Sequence, residues 1–291
     1  MELAKELNGE VVSCDSMYVY KRMNIGTAKP SKEEMQGIVH HMIDVAEPDV
    51  DFSVSKYCDM AAPIVDDIVA RGKTAIIAGG TGLYMDSLIK GNSFADFPDT
   101  GYRQELERRI EIEGVEPLLQ ELYRVDPESA EHSMSNPRRI IRALEVFYET
   151  GITITEHNRR TREIPARYDP LWLGLNFTER SELYRRINLR VDIMLEMGLI
   201  DEIKDLLSSG IPPKCTAMQA IGYKEFVAAL NGECTIEEAA DQVRMFSRRY
   251  AKRQLTWFRR NSAIHWLVRE AEQSSEEILE QARQVIRESD K

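Results

Sequence analysis

The sequence has little cysteine and no long apolar run. Its four cysteines, Cys14, Cys58, Cys215 and Cys234, are scattered through 291 residues. None forms a C-x-x-C pair, so neither a zinc site nor a disulfide framework is expected, and reduced thiols suit a cytosolic protein. No apolar stretch approaches the roughly 18 residues of a membrane helix. No charged–apolar–small leader opens the chain, so the expected location is the cytoplasm, away from any membrane. Internal repeats and low-complexity tracts are also missing. What remains is an ordinary soluble composition, 43% hydrophobic and 30% charged, over a length that suits one or two domains.

A net charge of −11 argues at first against nucleic acid, but its distribution reverses that. Residues 244–260, "RMFSRRYAKRQLTWFRR", carry seven Arg/Lys and no acid. Residues 138–162 carry six Arg and three Glu, which leaves −21 on the rest of the chain. Such segregation focuses a polyanion on one surface. The plainer alternative is two solvated helix faces.

Strand and helix signals alternate. Residues 2–8 read as the end of a helix stopped by Gly9. "EVVSC" (10–14) reads as a short buried strand, and "HHMID" (40–44) as a second extended piece. Residues 53–72 have helical spacing. "TAIIAGG" (74–80) is a continuous apolar run ending in glycines, the pattern of a buried parallel strand, and residues 81–91 read as the helix it opens. The pattern changes at 92–101. A charged helical block follows, "LWLGLNF" (171–177) returns to strand, and helices occupy the rest, including 235–262 and 274–288. The expected fold is therefore α/β with a mostly parallel sheet. Its core domain takes residues 1–99 and 168–291, with a helical insertion subdomain at 100–167 and a helical C-terminal part.

Three places could carry chemistry. Gly79, Gly80, Thr81 and Gly82 stand between a strand and a helix, where free amides suit a phosphate or a nucleobase edge. A tight βα turn explains them equally well. Asp15 ends the first strand and should face the same edge, where a carboxylate can take a proton from an attacking amine. It could equally cap the following turn with Ser16. Nearby, Lys21, Arg22 and Lys29 suit phosphate or are loop charges, and of the alternating Tyr18 and Tyr20 one should face a pocket while the other packs. "NPRRIIRALEV" (136–146) opens a helix with Asn136 as cap and Pro137 in the first turn. Arg138, Arg139 and Arg142 cluster where the helix dipole disfavours cations, which suggests phosphodiester binding.

Six segments in order, "DSMYVYKRMNIGTAKP", "HHMIDV" with "FSVSKY", "AGGTGLY", "NPRRIIRALEVF", "TAMQAIGYKEF" and "AKRQLTWFRR", span nearly the whole chain. Together they resemble the tRNA dimethylallyltransferases, also called tRNA isopentenyltransferases. The resemblance implies a fold like that of the P-loop nucleotide kinases, a nucleotide- and ATP-binding type. It implies that N6 of the adenine at tRNA position 37 attacks dimethylallyl diphosphate, releasing diphosphate with Mg2+ as cofactor. Metal ligands are not assigned. Asp15 matches the general base and Thr81 orients the amine. Asp15, Ser16, Met17 and Tyr18 line the base entrance. Arg103 and the run Arg138, Arg139, Ile140, Ile141 and Arg142 meet tRNA. Arg248, Lys252 and Arg253 grip the anticodon stem, and Gly79 and Gly80 meet the diphosphate. A monomer is expected. Alternatives are an isopentenyltransferase acting on free adenine nucleotides and a catalytically silent tRNA-binding protein.

Two departures stand out. Tyr18 replaces a Gln usual in the family, exchanging a base-edge hydrogen bond for stacking. The family's phosphate loop, with its strand, Lys and metal-binding hydroxyl, would lie upstream of "ELAKELNGE", and no G-x-x-x-x-G-K-[ST] occurs in the 291 residues. Either Met1 is an internal methionine of a longer protein or the chain is truncated. The intact motifs favour the first, because a protein free of catalytic constraint is free to lose them. In the second case donor binding is weak or lost and the sheet lacks a central strand.

Overall fold

The computed structural model describes residues 1–92 and 100–289. Contacts divide the chain into two compact units, Met1–Leu88 with Asp169–Lys291, and Ile89–Tyr168. Residues 93–99, where the sequence reading ends its first domain, lie outside the described residues.

In chain order the first unit has α1 (Glu2–Glu6), β1 (Gly9–Ser13), α2 (Lys32–Met35), β2 (His40–His41), α3 (Val54–Ala70) and β3 (Thr74–Ala78), and α4 (Gly82–Lys90) leads out of it. The second holds α5 (Tyr102–Glu113), α6 (Glu116–Val125), α7 (Pro127–Ser133), α8 (Pro137–Thr150) and α9 (Ile154–Glu163). The first unit resumes with β4 (Trp172–Phe177), α10 (Arg180–Glu196), α11 (Leu199–Ser208), α12 (Lys224–Leu230), α13 (Ile236–Phe258), β5 (Ile264–Arg269) and α14 (Ser275–Ser289).

Every strand pairing among the described residues is parallel, as the alternation of strand and helix implies. The strands form two sheets rather than one, in the orders β2-β1-β3 and β4-β5. A largely apolar cleft of about 540 Å³ opens where Ile76 and Ala78 of β3 and Leu175 and Leu267 of the β4–β5 pair face it, with Leu279 of α14. β3 is thus an edge strand, and its apolar run is half-exposed instead of buried on both faces. β5 was not read from the sequence. Its "IHWLVR" buries only Ile264 and Leu267, three residues apart, so it lacks a strict two-residue alternation, and it follows a long helical pattern that masks a six-residue signal. The turn after α1 is made by Asn8 in the left-handed region, φ 47°, not by Gly9. Gly9 starts β1 instead, where a Cβ would stand 2.9 Å from the Thr74 carbonyl oxygen.

Glu10 ties the sheet together. Only 4% exposed, it accepts from Arg71 Nη1 at 2.6 Å, Arg71 Nη2 at 2.9 Å, Lys73 Nζ at 2.7 Å and His41 Nε2 at 2.8 Å. Hydrogen bonds from Arg71, then Lys73 and His41, hold its carboxyl far below the usual range. The three partners are 24–39% exposed, which weakens the pairing. Glu10→Gln should therefore cost about 2 kcal/mol in urea unfolding near pH 7. A depressed folded pKa gives stability that is present above the unfolded value of about 4.3 and lost as pH falls toward the folded one. The gap between wild type and variant should close on acidification below about pH 4.

Candidate active site at the β1–β3 edge

Parallel register decides which residues meet. Val12 pairs with Ile77 and Ser13 with Ala78, so both chains leave the sheet at the same edge. The exits are stitched together: Cys14 N–H donates to the Ala78 carbonyl at 2.7 Å, and Thr81 N–H donates to the Cys14 carbonyl at 3.2 Å. The next contact joins the two candidate segments. Ser16 N–H donates to Thr81 Oγ1 at 3.0 Å, and the Thr81 hydroxyl donates to Ser16 Oγ at 3.3 Å. Cys14 is fully buried, and burial pushes its thiol up to about 12, so it is packing rather than a nucleophile.

Asp15 does cap the turn it starts, its Oδ1 accepting from Met17 N–H at 2.8 Å. Burial raises its carboxyl pKa above the ordinary value, while the amides of Met17 and Tyr18 pull it back. Tyr18 is half-buried and Tyr20 is 1% exposed, which separates the pocket side of the alternation from the core side. Burial, and then the charge of Asp15, pushes the Tyr18 phenol up to about 12, with Arg190 acting the other way.

The loop that follows is part of the core. Val19, Tyr20 and Met23 are buried with Leu199, Ile203, Tyr223 and Phe226. Tyr18 Oη donates to the Ala28 carbonyl at 2.7 Å. Glu202 accepts from the amides of Asn24, Ile25 and Gly26 at 2.8–3.2 Å and from Tyr223 Oη at 2.6 Å. The loop cations are pegs in this framework rather than free phosphate ligands. Lys29 donates to the Tyr20 carbonyl and to Asp44, Lys21 to Glu47, and Arg22 to Ser209 and the Asp205 carbonyl.

α13 closes on the glycine corner. Gln254 Nε2 donates to the Gly80 carbonyl at 2.9 Å, and Trp257 Nε1 donates to Asp86 at 3.0 Å. The Tyr250 hydroxyl makes polar contacts with Thr81 and Gln254. The three glycines serve these contacts. A Cβ at Gly79 would strike the Cys14 backbone, one at Gly80 the Gln254 amide, and one at Gly82 the Trp257 ring. Each glycine thus permits a close approach of the protein's own atoms on the side where a Cβ would stand.

An IPP transferase family model matches residues 18–261. The chain belongs to that family. It is 46% identical over 284 residues to a tRNA dimethylallyltransferase of Caldanaerobacter subterraneus, covering 96% of this chain and 90% of that one. It is 48% identical over 266 residues to a tRNA dimethylallyltransferase of Halalkalibacterium halodurans, covering 91% and 84%. The crystal structure of a full-length tRNA isopentenylpyrophosphate transferase from Bacillus halodurans superposes with a TM-score of 0.72 at 43% identity, covering 99% of this chain and 92% of that one. A eukaryotic dimethylallyltransferase acting on tRNA gives 0.77 at 28% identity, covering 92% and 69%.

The cations singled out in the sequence sort by their partners. In the second unit Asn136 caps α8, accepting from the amides of Arg138 and Arg139, with Pro137 in the first turn. Arg103 and Arg142 both bind the Glu145 carboxylate, at 2.8–2.9 Å, and Arg139 donates to the His132 carbonyl. Glu145 thus relieves the cation cluster against the helix dipole. Arg138 is exposed and has no carboxylate partner among the described residues. Ile140 and Ile141 require a correction. They are 0% and 5% exposed and pack with Leu118, Leu122 and Leu144, so their side chains cannot reach RNA. On α13, Arg244 is taken up by Asp192, Glu237 and Asp241, and Arg248 by Asn188. Arg249, Lys252 and Arg253 have no carboxylate partner among the described residues. Arg249 lies over Phe246 and Arg253 over Tyr250.

The implied Mg2+ finds no group of three or more His, Cys, Asp or Glu among the described residues. Mg2+ in phosphate chemistry takes one or two carboxylates and completes its shell with water and substrate oxygens. No described helix is long and apolar enough to cross a membrane.

Proposed function

We propose that this chain moves a dimethylallyl group from dimethylallyl diphosphate to N6 of the adenine at position 37 of a tRNA anticodon loop. The new bond joins N6 to the first carbon of the donor. The carbon–oxygen bond to diphosphate breaks, and the N6 proton passes to Asp15. The observation that carries this reading is the junction of the Asp15–Ser16 turn with Thr81 at one sheet edge. There a partly desolvated carboxylate stands next to a hydroxyl that can still accept from an incoming amine. Tyr18 offers a ring for the extruded purine. Arg190 stands close enough to act on Tyr18 and has no carboxylate partner among the described residues, which suits the leaving diphosphate. When bound, Mg2+ supplies charge neutralisation of that diphosphate. A cytoplasmic monomer fits the same reading.

Label transfer tests it. With labelled dimethylallyl diphosphate, label should enter unmodified tRNA and not AMP. Label in AMP alone would mark a free-nucleotide enzyme, and tRNA binding without label a silent binder. The α13 cations favour RNA over a nucleotide. Replacing Arg249, Lys252 and Arg253 by Gln should weaken tRNA binding and make the slope of log K against log salt shallower by about 2. An unchanged slope would move the RNA surface elsewhere.

A further inference from the structure

α13 carries two faces. At about 100° per residue, Tyr250, Gln254 and Trp257 fall within about 60° of one another. Arg249, Lys252 and Arg253 occupy a separate arc of about 100°. The first face is the one that touches the glycine corner, through the Gly80 carbonyl at 2.9 Å and Asp86 at 3.0 Å. Both bonds bridge more than 170 residues of sequence. Gly80 and Gly82 are bare where Gln254 and Trp257 lie against them, so the fit is close on both sides.

We propose that Gln254 and Trp257 are positioning residues for the transfer reaction, and that α13 fixes the Thr81 corner with one face while its other face receives the polyanion. This deepens the prenyl-transfer reading and stands on it. The corner begins α4 and is held from both sides: Ser16 meets the Thr81 hydroxyl on the β1 side, and Gln254 meets the Gly80 carbonyl on the α13 side. Gly80 is the residue before Thr81, so a grip on its carbonyl sets the peptide plane from which the Thr81 hydroxyl is aimed. Without the Gln254 amide that carbonyl keeps no described partner on α13. The hydroxyl then loses its fixed direction toward the amine. A displacement of about 1 Å at reacting groups costs on the order of a hundredfold in rate. Neither Gln254 nor Trp257 is a cation, so RNA affinity has no direct reason to change with them.

The test uses Gln254→Leu, which keeps the bulk and removes the donor, and Trp257→Phe, which keeps a ring and removes the indole N–H. Gly80→Ala is the third variant, because its Cβ displaces the Gln254 amide from the other side. In each, kcat with tRNA and dimethylallyl diphosphate should fall at least about tenfold, while KM for tRNA stays within about twofold. Amide exchange over residues 79–85 in the free protein should rise about tenfold, with α3 unchanged as an internal control for folding. A rise in KM with kcat preserved, unchanged kinetics, or lost kcat with unchanged exchange at the corner would each overturn the assignment. If the wild-type chain moves no label, the prenyl-transfer reading fails by itself, and the exchange measurement still decides whether α13 holds the corner.

Discussion

Asp15→Asn is expected to lower turnover by about a thousandfold while tRNA affinity changes by less than about twofold. The substitution is chosen to separate the turn-capping role seen in the structure from the proposed role as base. Asp15 caps its turn through Oδ1, which accepts from Met17 N–H at 2.8 Å. The amide oxygen of Asn can accept that bond equally well, so the turn and the Ser16–Thr81 junction should survive. What Asn cannot do is take a proton from N6. The pH profile gives an independent check with a definite sign. The base works only when ionised, so kcat/KM should rise with pH along its acidic limb. Burial raises the Asp15 pKa, so that limb should lie above the ordinary carboxylate value of about 3.9. Asp15→Asn should flatten the limb as well as lower the rate. A wild-type limb at or below the ordinary value, or a variant that retains it, would assign the proton to another group.

Gly79→Ala is expected to cost at least about 3 kcal/mol of stability and to abolish turnover in whatever fraction folds. The added Cβ would meet the carbonyl oxygen, carbonyl carbon and Cα of Cys14, the last at 2.9 Å. All three are backbone atoms of the strand exit that carries Asp15, so no side-chain rotation can relieve the clash. The only escape is to part the β1 and β3 exits. That breaks the Cys14–Ala78 and Thr81–Cys14 hydrogen bonds that bring the site together. Gly80→Ala is the natural comparison. Its Cβ meets the end of a flexible glutamine, so stability should fall much less while the corner still loses its hold on α13. Urea unfolding of the two variants side by side measures the difference. Equal costs would mean that the corner yields more easily than its geometry implies.

Much of the frame was legible in the residues because local rules govern it. Apolar runs ending in glycine gave β3 and the start of α4, and the Asn136–Pro137 pair gave the start of α8. Asp15 and Thr81 could be assigned to one edge because parallel neighbouring strands leave a sheet on the same side. The assignment of Ile140 and Ile141 to RNA came with the family resemblance, which takes the run 138–142 as one block. A helix turns about 100° per residue, so neighbours in sequence face different ways, and these two face the core.

The sequence by itself determined the alternation of elements, the family and the two short segments that hold the candidate base and its partner hydroxyl. Tertiary structure alone decided that the sheet runs as two parts, that Glu10 gathers three cations, and that Gln254 and Trp257 reach the glycine corner. The physical reason is range. Propensity, capping and periodicity act within a few turns of chain, whereas a contact across more than 170 residues exists only once helices have packed, and no local pattern encodes it.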